Sequence, residues 1–483
     1  MKMQMGTSLW KNIGKSLGTR YVKYGGFAAV ITVAVIAAVI FLNLIVQQFS
    51  PQFDLTEEKI FSLSDQSRQI LASVKDPVKI YGIWAPGNDN PDAREIAELY
   101  TARSSLVSFE AIDPDLHPGL MQRFDRDGNG VQRGSLVVEG ARGFRPIAPG
   151  DMYDYYTNQQ GQRQPMGIAI EKRISSALIY VSTGESPVVY EITGHGEYPL
   201  EAFRLKEKIE QENYVVKDIN LFQSEVPDDA SVLILNNPES DLSSGEAEKI
   251  LAYLENGGRL LVLMDFNSGA IDSVNGMLAS YGIRFDKGVV VESDLSHMAG
   301  RNNFVLIPDM LPHDISQPLI DKGSRVVIQF AMGISVLDMR RRTVKTVPYL
   351  QSSNGSFLRT DLLNTNPEQT AGDIAGPLVV AAAVMDPEYA QDGETQARIA
   401  AIGGETLLAY VELNPANMDL FMNSLNWIED RPQSLTVESR SLFQMPLRIT
   451  FVHVLAFGLL FVIIIPLTLF ILALVTWLKR RHL

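Results

Sequence analysis

The sequence predicts an α/β protein in which two membrane-spanning helices flank a large extracytoplasmic body, itself built from a small α/β domain and a larger, doubly wound α/β domain. Three observations predict it. Two long, uncharged, apolar stretches lie near the ends of the chain. Between them, short apolar strands alternate with segments of helical periodicity. The composition, 46% hydrophobic, 20% charged and 8% aromatic over 483 residues, is that of a folded chain long enough to bury sizeable cores without cross-links.

The first stretch runs from Tyr24 to Phe53 without a charge, and Gly25 to Val46 is almost wholly apolar; as a helix it would measure about 33 Å. The second runs uncharged from Ile449 to Leu478, with Trp477 near its end and Lys479-Arg480-Arg481 after it. The formal charge of −14 is unevenly spread. Residues 1–23 and 479–483 hold eight of the 42 basic residues and no acid, which leaves 34 basic against 56 acidic residues between them. Basic tails beside apolar spans place both termini in the cytoplasm, and two crossings place the acidic body outside. The expected location is therefore the bacterial cytoplasmic (inner) membrane, with an extracytoplasmic or periplasmic body and the lipid bilayer as one partner. So acidic a body repels nucleic acid.

The divisions follow from this. Residues 1–23 are a basic tail, 24–48 the first span, 53–150 a small α/β domain and 151–185 a polar loop with a connecting helix. Residues 186–430 form the doubly wound domain with an insertion at about 292–376, 431–448 a tether, 449–478 the second span and 479–483 the final tail. In the small domain Ser64 caps a helix from Asp65 to about Val74, Asp76-Pro77 stops it, and Val78 to Ile83 alternates as a strand. Ala93 to Ala102 reads as a helix, and Leu106 to Ile112 and Ser135 to Glu139 read as strands. The run from Asp151 to Met166 is polar and unpatterned, hence loop, and Ile168 to Val181 resumes helical spacing.

In the larger domain, Val188 to Thr193 is a strand, Leu200 to Glu212 a helix, and Tyr214 to Ile219 and Ser231 to Leu235 are strands. Ser243 or Ser244 caps a helix that ends at Gly257-Gly258, and Arg259 to Met264 is the next strand. This rhythm is that of a doubly wound parallel sheet. It weakens after Glu292 and returns with Leu378 to Met385, Arg398 to Gly403 and a helix from about Ala416 to Trp427.

The absence of cysteine removes disulfides, thiolate metal sites and every cysteine nucleophile. Thr193-Gly194-His195-Gly196-Glu197 is the foremost functional candidate. Gly194 and Gly196 permit a tight turn at the carboxyl end of the first strand of the sheet, where open α/β sheets bind ligands, and His195 and Glu197 project from it. A metal or acid/base role is one reading. The preferred reading is that the glycines shape the crossover while His195 and Glu197 hydrogen-bond neighbouring loops, because no HxH or HExxH pair accompanies them. Asp125, Asp127 and Asn129 imitate the start of a calcium loop, but Leu136 stands where the bidentate Glu belongs, so a solvated turn is preferred. Tyr153, Tyr155 and Tyr156 form either a partner-binding patch or the cover of a domain junction. No catalytic residue, resident metal or cofactor is expected.

The order of a basic tail, an apolar span, DLTEEKIFSLSDQSRQIL, a small α/β domain, TGHGE after a strand, an acidic βαβ domain, NMDLFMNSLNWIEDRP and a final apolar span ending LKRR resembles the GldG-type, gliding-motility-associated auxiliary proteins of ABC-2 transporters. The resemblance covers nearly the whole chain. It implies a thioredoxin-like first domain and a second domain like the class I glutamine amidotransferases. It also implies partnership with an ABC-2 permease and a separate cytoplasmic ATPase, and allows two copies per complex. A glutamine amidotransferase needs a cysteine thiolate and a thioredoxin needs its CxxC, so both folds would act here as scaffolds. The resulting expectation is a non-enzymatic auxiliary subunit that binds substrate or gates its release. The alternatives are an anchored enzyme using His195 and Glu197, or a freestanding scaffold or receptor.

Overall fold

A computed structural model describes residues 30–41, 62–125, 131–157, 162–184, 186–202, 205–266, 271–338, 341–364, 366, 368–387, 396–404, 414–430, 440–441 and 458–481. The chain divides into two compact units, residues 1–62 and 63–483. In the first, the described residues are a helix over 30–41 and Ser62. The second is α/β throughout most of its length.

It begins with α1 (Asp65–Ser73), capped by the Ser64 hydroxyl, which accepts from Ser67 N. Strand β1 (Val78–Ile83) follows, then α2 (Pro91–Arg103), whose first turn is capped by Asn90 with Pro91 at the helix start, where its missing N–H matters least. Strand β2 (Val107–Ile112), the short α3 (Pro118–Phe124), β3 (Leu136–Gly140) and β4 (Gly143–Ile147) complete a four-stranded sheet of order β2-β1-β3-β4. In it β1 and β2 are parallel and the remaining pairs antiparallel.

The polar run expected to be a loop contains two strands, β5 (Tyr153–Thr157) and β6 (Arg163–Ile168), which pair with each other, while Arg440–Ser441 pairs on the far side of β6. The alternation was hidden because both faces of β5 carry polar atoms: Tyr153 donates its hydroxyl to Asp92, and Tyr155 lies 4.6 Å from the Arg163 guanidinium. Helix α4 (Ile170–Thr183) is not a bare connector. Its Ile170, Ile174, Ala177, Leu178 and Val181 are buried in the first core with Ile70, Ile80, Tyr100 and Val138. Burying one such aliphatic side chain contributes about 1.5–3 kcal/mol.

The larger sheet has eight strands. In chain order they are β7 (Val188–Ile192), β8 (Val215–Ile219), β9 (Ala230–Asn236), β10 (Arg259–Met264), β11 (Asp309–Met310), β12 (Lys345–Gln351), β13 (Val379–Asp386) and β14 (Ala397–Gly403), and in space they run β11-β12-β13-β14-β10-β9-β7-β8. The five strands from β14 to β8 are mutually parallel, whereas β11, β12 and β13 are added antiparallel at one side. Helices α5 (Leu205–Gln211) and α8 (Pro415–Ile428) bury Leu205, Ile209, Leu420, Phe421 and Leu425 against one face. Helices α6 (Ser244–Glu255) and α7 (Asp272–Ala279) bury Ile250, Leu254, Val274 and Leu278 against the other. With both faces covered, the central strands are apolar on both sides, as in Leu260-Leu261-Val262-Leu263-Met264, all fully buried. The weakly patterned stretch about 292–376 supplies β11, β12 and several pairings two or three residues long.

Two expectations are corrected. Among the described residues, no helix is long and apolar enough to cross a membrane. Within 24–48 the described helix is 30–41, about 18 Å long, and within 449–478 the described α-helix is Ile465–Arg481, of 17 residues ending in Lys479-Arg480-Arg481, where a span needs about 20 apolar residues. Leu459–Ile464 precedes that helix as a π-helical segment, while residues 24–29, 42–48 and 449–457, the tail 1–23 and the tether residues 431–439 and 442–448 lie outside the described residues. Two flanking membrane helices are therefore not supported. The inner-membrane location with both termini cytoplasmic and the body outside rested on those helices and is likewise not supported, and the bilayer as a partner loses its basis.

Candidate functional site

The parallel strands take the order 2-1-3-4-5 when ranked by sequence: β8, β7, β9, β10, β14. The connection leaving β7 goes to one side and the return to β9 lies on the other, so a crevice opens at their carboxyl ends, the usual ligand position in such sheets. Here that crevice is lined by the turn after β7, the segment after β9 and the start of α6.

Thr193 N donates to Ile219 O at 2.8 Å, and then the chain reverses. Gly194 has φ +124° and Gly196 φ +78°, conformations that L side chains rarely adopt. A Cβ on Gly194 would also stand 2.7 Å from Asn220 Nδ2, and one on Gly196 3.0 Å from Glu239 Cβ. The turn carries His195 inward. Its backbone N–H donates to Glu197 Oε2 at 2.8 Å, while its ring Nδ1 lies 2.9 Å from Glu197 Oε1 and its Nε2 3.1 Å from Glu246 Oε2. The side chains of Glu197 and Glu246 are only 3% and 4% exposed and that of His195 12%. The His195 carbonyl accepts from the backbone N–H groups of Glu239 and Ser240.

Glu246 does double duty. In the first turn of α6 its Oε2 accepts from Ser243 N at 3.0 Å and Ser243 Oγ at 2.7 Å, and Ser243 Oγ accepts from Glu246 N, forming a capping box. Around it, Asn236 Nδ2 donates to Tyr198 O, Asp265 N donates to Asn237 Oδ1, and Asp241 accepts from Ser273 N at the start of α7. The ends of β7, β9 and β10 and the starts of α6 and α7 are thus laced together by polar side chains.

Burial pushes the His195 ring toward its neutral form, but its hydrogen bond to Glu197 and the charge of Glu246 outweigh it, and its pKa is raised above the ordinary histidine value. Burial raises the Glu246 carboxyl, yet the Ser243 hydrogen bonds and the His195 charge bring it below the ordinary range. Both ring nitrogens of His195 are thus engaged by side chains of the protein itself, Glu197 at Nδ1 and Glu246 at Nε2. Among the described residues no group of three or more His, Asp or Glu is placed to hold a metal ion.

Gly194, His195, Gly196 and Glu197 are thus brought together in one turn. Glu246, Ser243 and Asn236 join them, and of these only Ser243, as a helix cap, is flagged by the sequence; the Ser243-x-x-Glu246 spacing of a capping box was the available signal for Glu246. Tyr153 and Tyr155 belong to β5, in a different sheet, and Tyr156 pairs there with Gln164. Asp125 ends α3, whereas Asp127 and Asn129 lie outside the described residues.

Residues 186–403 match the family model described as an ABC-type uncharacterized transport system. The match supports an auxiliary component of an ABC-type transport system. Residues 57–152 match a domain of unknown function (DUF7088). No curated protein matches the chain. Among solved structures, the N-terminal domain of mmIFT52 is 14% identical, with 50% of this chain and 96% of that one covered and a TM-score of 0.37. A candidate GMP synthase protein from Thermoplasma acidophilum is 12% identical, covering 51% and 96%, with a TM-score of 0.26. A ThuA-like protein from Parabacteroides merdae is 10% identical, covering 51% and 90%, with a TM-score of 0.30.

Proposed function

We propose that this chain is a non-enzymatic auxiliary subunit of an ABC-2 transporter of the GldG type, working with a separate permease and ATPase to bind substrate or gate its release. The family match over 186–403 supports the transport-system part of this reading. The observation that carries the non-enzymatic part is the engagement of both His195 ring nitrogens by Glu197 and Glu246 at the position where a sheet of this order would bind a ligand. These contacts tie the turn after β7 to the start of α6 and brace the fold there. With no cysteine in the chain, an amidotransferase-like second domain and a thioredoxin-like first domain would act as protein-binding scaffolds.

The test is purification of the tagged chain from its native cells in mild detergent, with mass spectrometry of what accompanies it. Recovery of a polytopic permease and an ATPase in fixed ratio is expected. Recovery of the chain alone, under conditions that preserve other complexes, would overturn the reading.

A further inference from the structure

Strands Phe357–Arg359 and Ile374–Ala375 pair antiparallel, and the segment 360–373 between them is built around one cation. Arg359 is 1% exposed. Its Nη1 donates to Asn364 O at 3.2 Å and to Asn366 O, and its Nη2 to Glu368 O at 2.8 Å and Asp373 Oδ2 at 3.0 Å. Asp373 also accepts from the N–H and hydroxyl of Thr370. On the outer side the Asp361, Asn364 and Asn366 side chains take the N–H groups of Leu363, Asn366 and Glu368. Polar contacts thus hold the described residues of the loop, and two of its apolar side chains face outward: Leu363 is 92% exposed and Leu362 50%.

Singly exposed apolar residues, such as Phe222, Leu116 and Leu295, are ordinary. Two adjacent leucines on a loop already ordered by a buried guanidinium are different, because the entropy of ordering them is spent before any partner arrives, which is the condition for an interface anchor. The charge around them selects the partner. Asp361 and Glu368 are exposed on the same loop as the leucines, no Lys or Arg occurs from Thr360 to Asp373, and Arg359 is buried. An acidic rim repels an anionic lipid surface, and it repels a second copy of a chain whose net charge is −14.

We propose that the loop 360–373 is a docking knob, inserting Leu362 and Leu363 into an apolar pocket with a basic rim on a different protein. On the reading above, that protein is a component of the transport system.

The test places the photocrosslinking residue p-benzoylphenylalanine at Leu363 of the full chain in its native cells, alongside affinity purification of the L362S/L363S and E368K variants. The expected results are one heterologous crosslinked protein, the same protein recovered with the unaltered chain, and recovery reduced about tenfold or more by either variant at unchanged melting temperature. A crosslink only to a second copy or only to lipid, or full recovery with both variants, would overturn the proposal. If Leu363 crosslinks to a protein that is neither permease nor ATPase, and neither of these co-purifies, the docking knob stands and the transporter reading fails.

Discussion

His195 Nε2 lies 3.1 Å from Oε2 of Glu246, a residue 51 positions further along the chain, and the contact joins the end of β7 to the first turn of α6. Because the same imidazole meets Glu197 through Nδ1, removing it takes a ring partner from two buried acidic side chains at once. Loss of one partner from a buried pair costs about 3–5 kcal/mol, so H195Q is expected to lower stability by an amount of that order near neutral pH, read by urea unfolding. A variant as stable as the wild type would mean that the clamp is not formed in solution.

The same contact sets a pH dependence. The folded-state pKa of His195 is raised, so its contribution is fully present below the ordinary histidine value of about 6.5 and is lost as pH rises through the higher folded value. His297 behaves alike: burial lowers its pKa, but Asp309 and Asp294 bring it above the ordinary value. Melting temperatures taken from about pH 6 to pH 9 should fall more steeply for the wild type than for H195Q, with H297Q removing a separate part of the slope. Parallel curves for wild type and H195Q would count against a raised His195 pKa.

Glu191 works in the same direction from a different cause. It is 2% exposed within β7, and burial raises its pKa to about 7, despite the N–H of Leu200 that its Oε1 accepts at 2.8 Å. Stability is therefore greatest below the unfolded carboxyl value and declines as pH rises through about 7. The expected loss across that window is about 3 kcal/mol, and E191Q, which keeps an acceptor for Leu200, should abolish it. Unfolding free energies measured from about pH 4.5 to about pH 8 decide the matter, and an E191Q protein with the wild-type slope would refute it.

Gly194 offers a geometric test of the turn. At φ +124°, with Asn220 Nδ2 2.7 Å from where a Cβ would stand, G194A is expected to destabilise the protein by about 1–3 kcal/mol. Gly87 makes the control, since it too has positive φ but a Cβ there would meet nothing within 4 Å. Equal losses for G87A and G194A would show that the dihedral alone matters, not the packing of the turn on the loop after β8.

What could be read from the sequence tracks the range of the interaction. Ser64, Asn90 and Ser243 act within one turn of their helices, and Gly194 and Gly196 mark a turn by spacing alone, so these features are visible in a short window. Glu246 is local as a cap but distant as the partner of His195, and no spacing rule connects residues brought together only by the β7-β9 crossover. Pairings as short as Asp309–Met310 and Ile374–Ala375 carry too few residues to show a period of two, and Arg359 reads as a surface residue until the carbonyls of 364, 366 and 368 close around it. The apolar stretches at 24–48 and 449–478 met the compositional rule for a span, but the described helices within them are shorter than that rule requires.

Arg173 links the layers of the four-stranded and eight-stranded sheets. It sits on α4, in the core of the first sheet, with its side chain 6% exposed. Its Nε donates to Asp151 O, its Nη1 to Gln211 O and Glu212 Oε1, and its Nη2 to Gln211 Oε1 at 2.6 Å, at the end of α5 in the second sheet's layer. Lys172 Nζ lies 2.8 Å from the same Glu212 oxygen; burial raises the Glu212 carboxyl, but Lys172 and Arg173 together bring it below the ordinary range. One planar guanidinium thus ties four acceptors from two layers, a fork that an ammonium cannot reproduce. R173M is expected to cost about 3 kcal/mol. It should also uncouple the layers, so that calorimetry of a chain melting in one transition shows two, and R173K should not restore the single transition. A lone transition at unchanged temperature in R173M would mean that apolar packing alone holds the layers together.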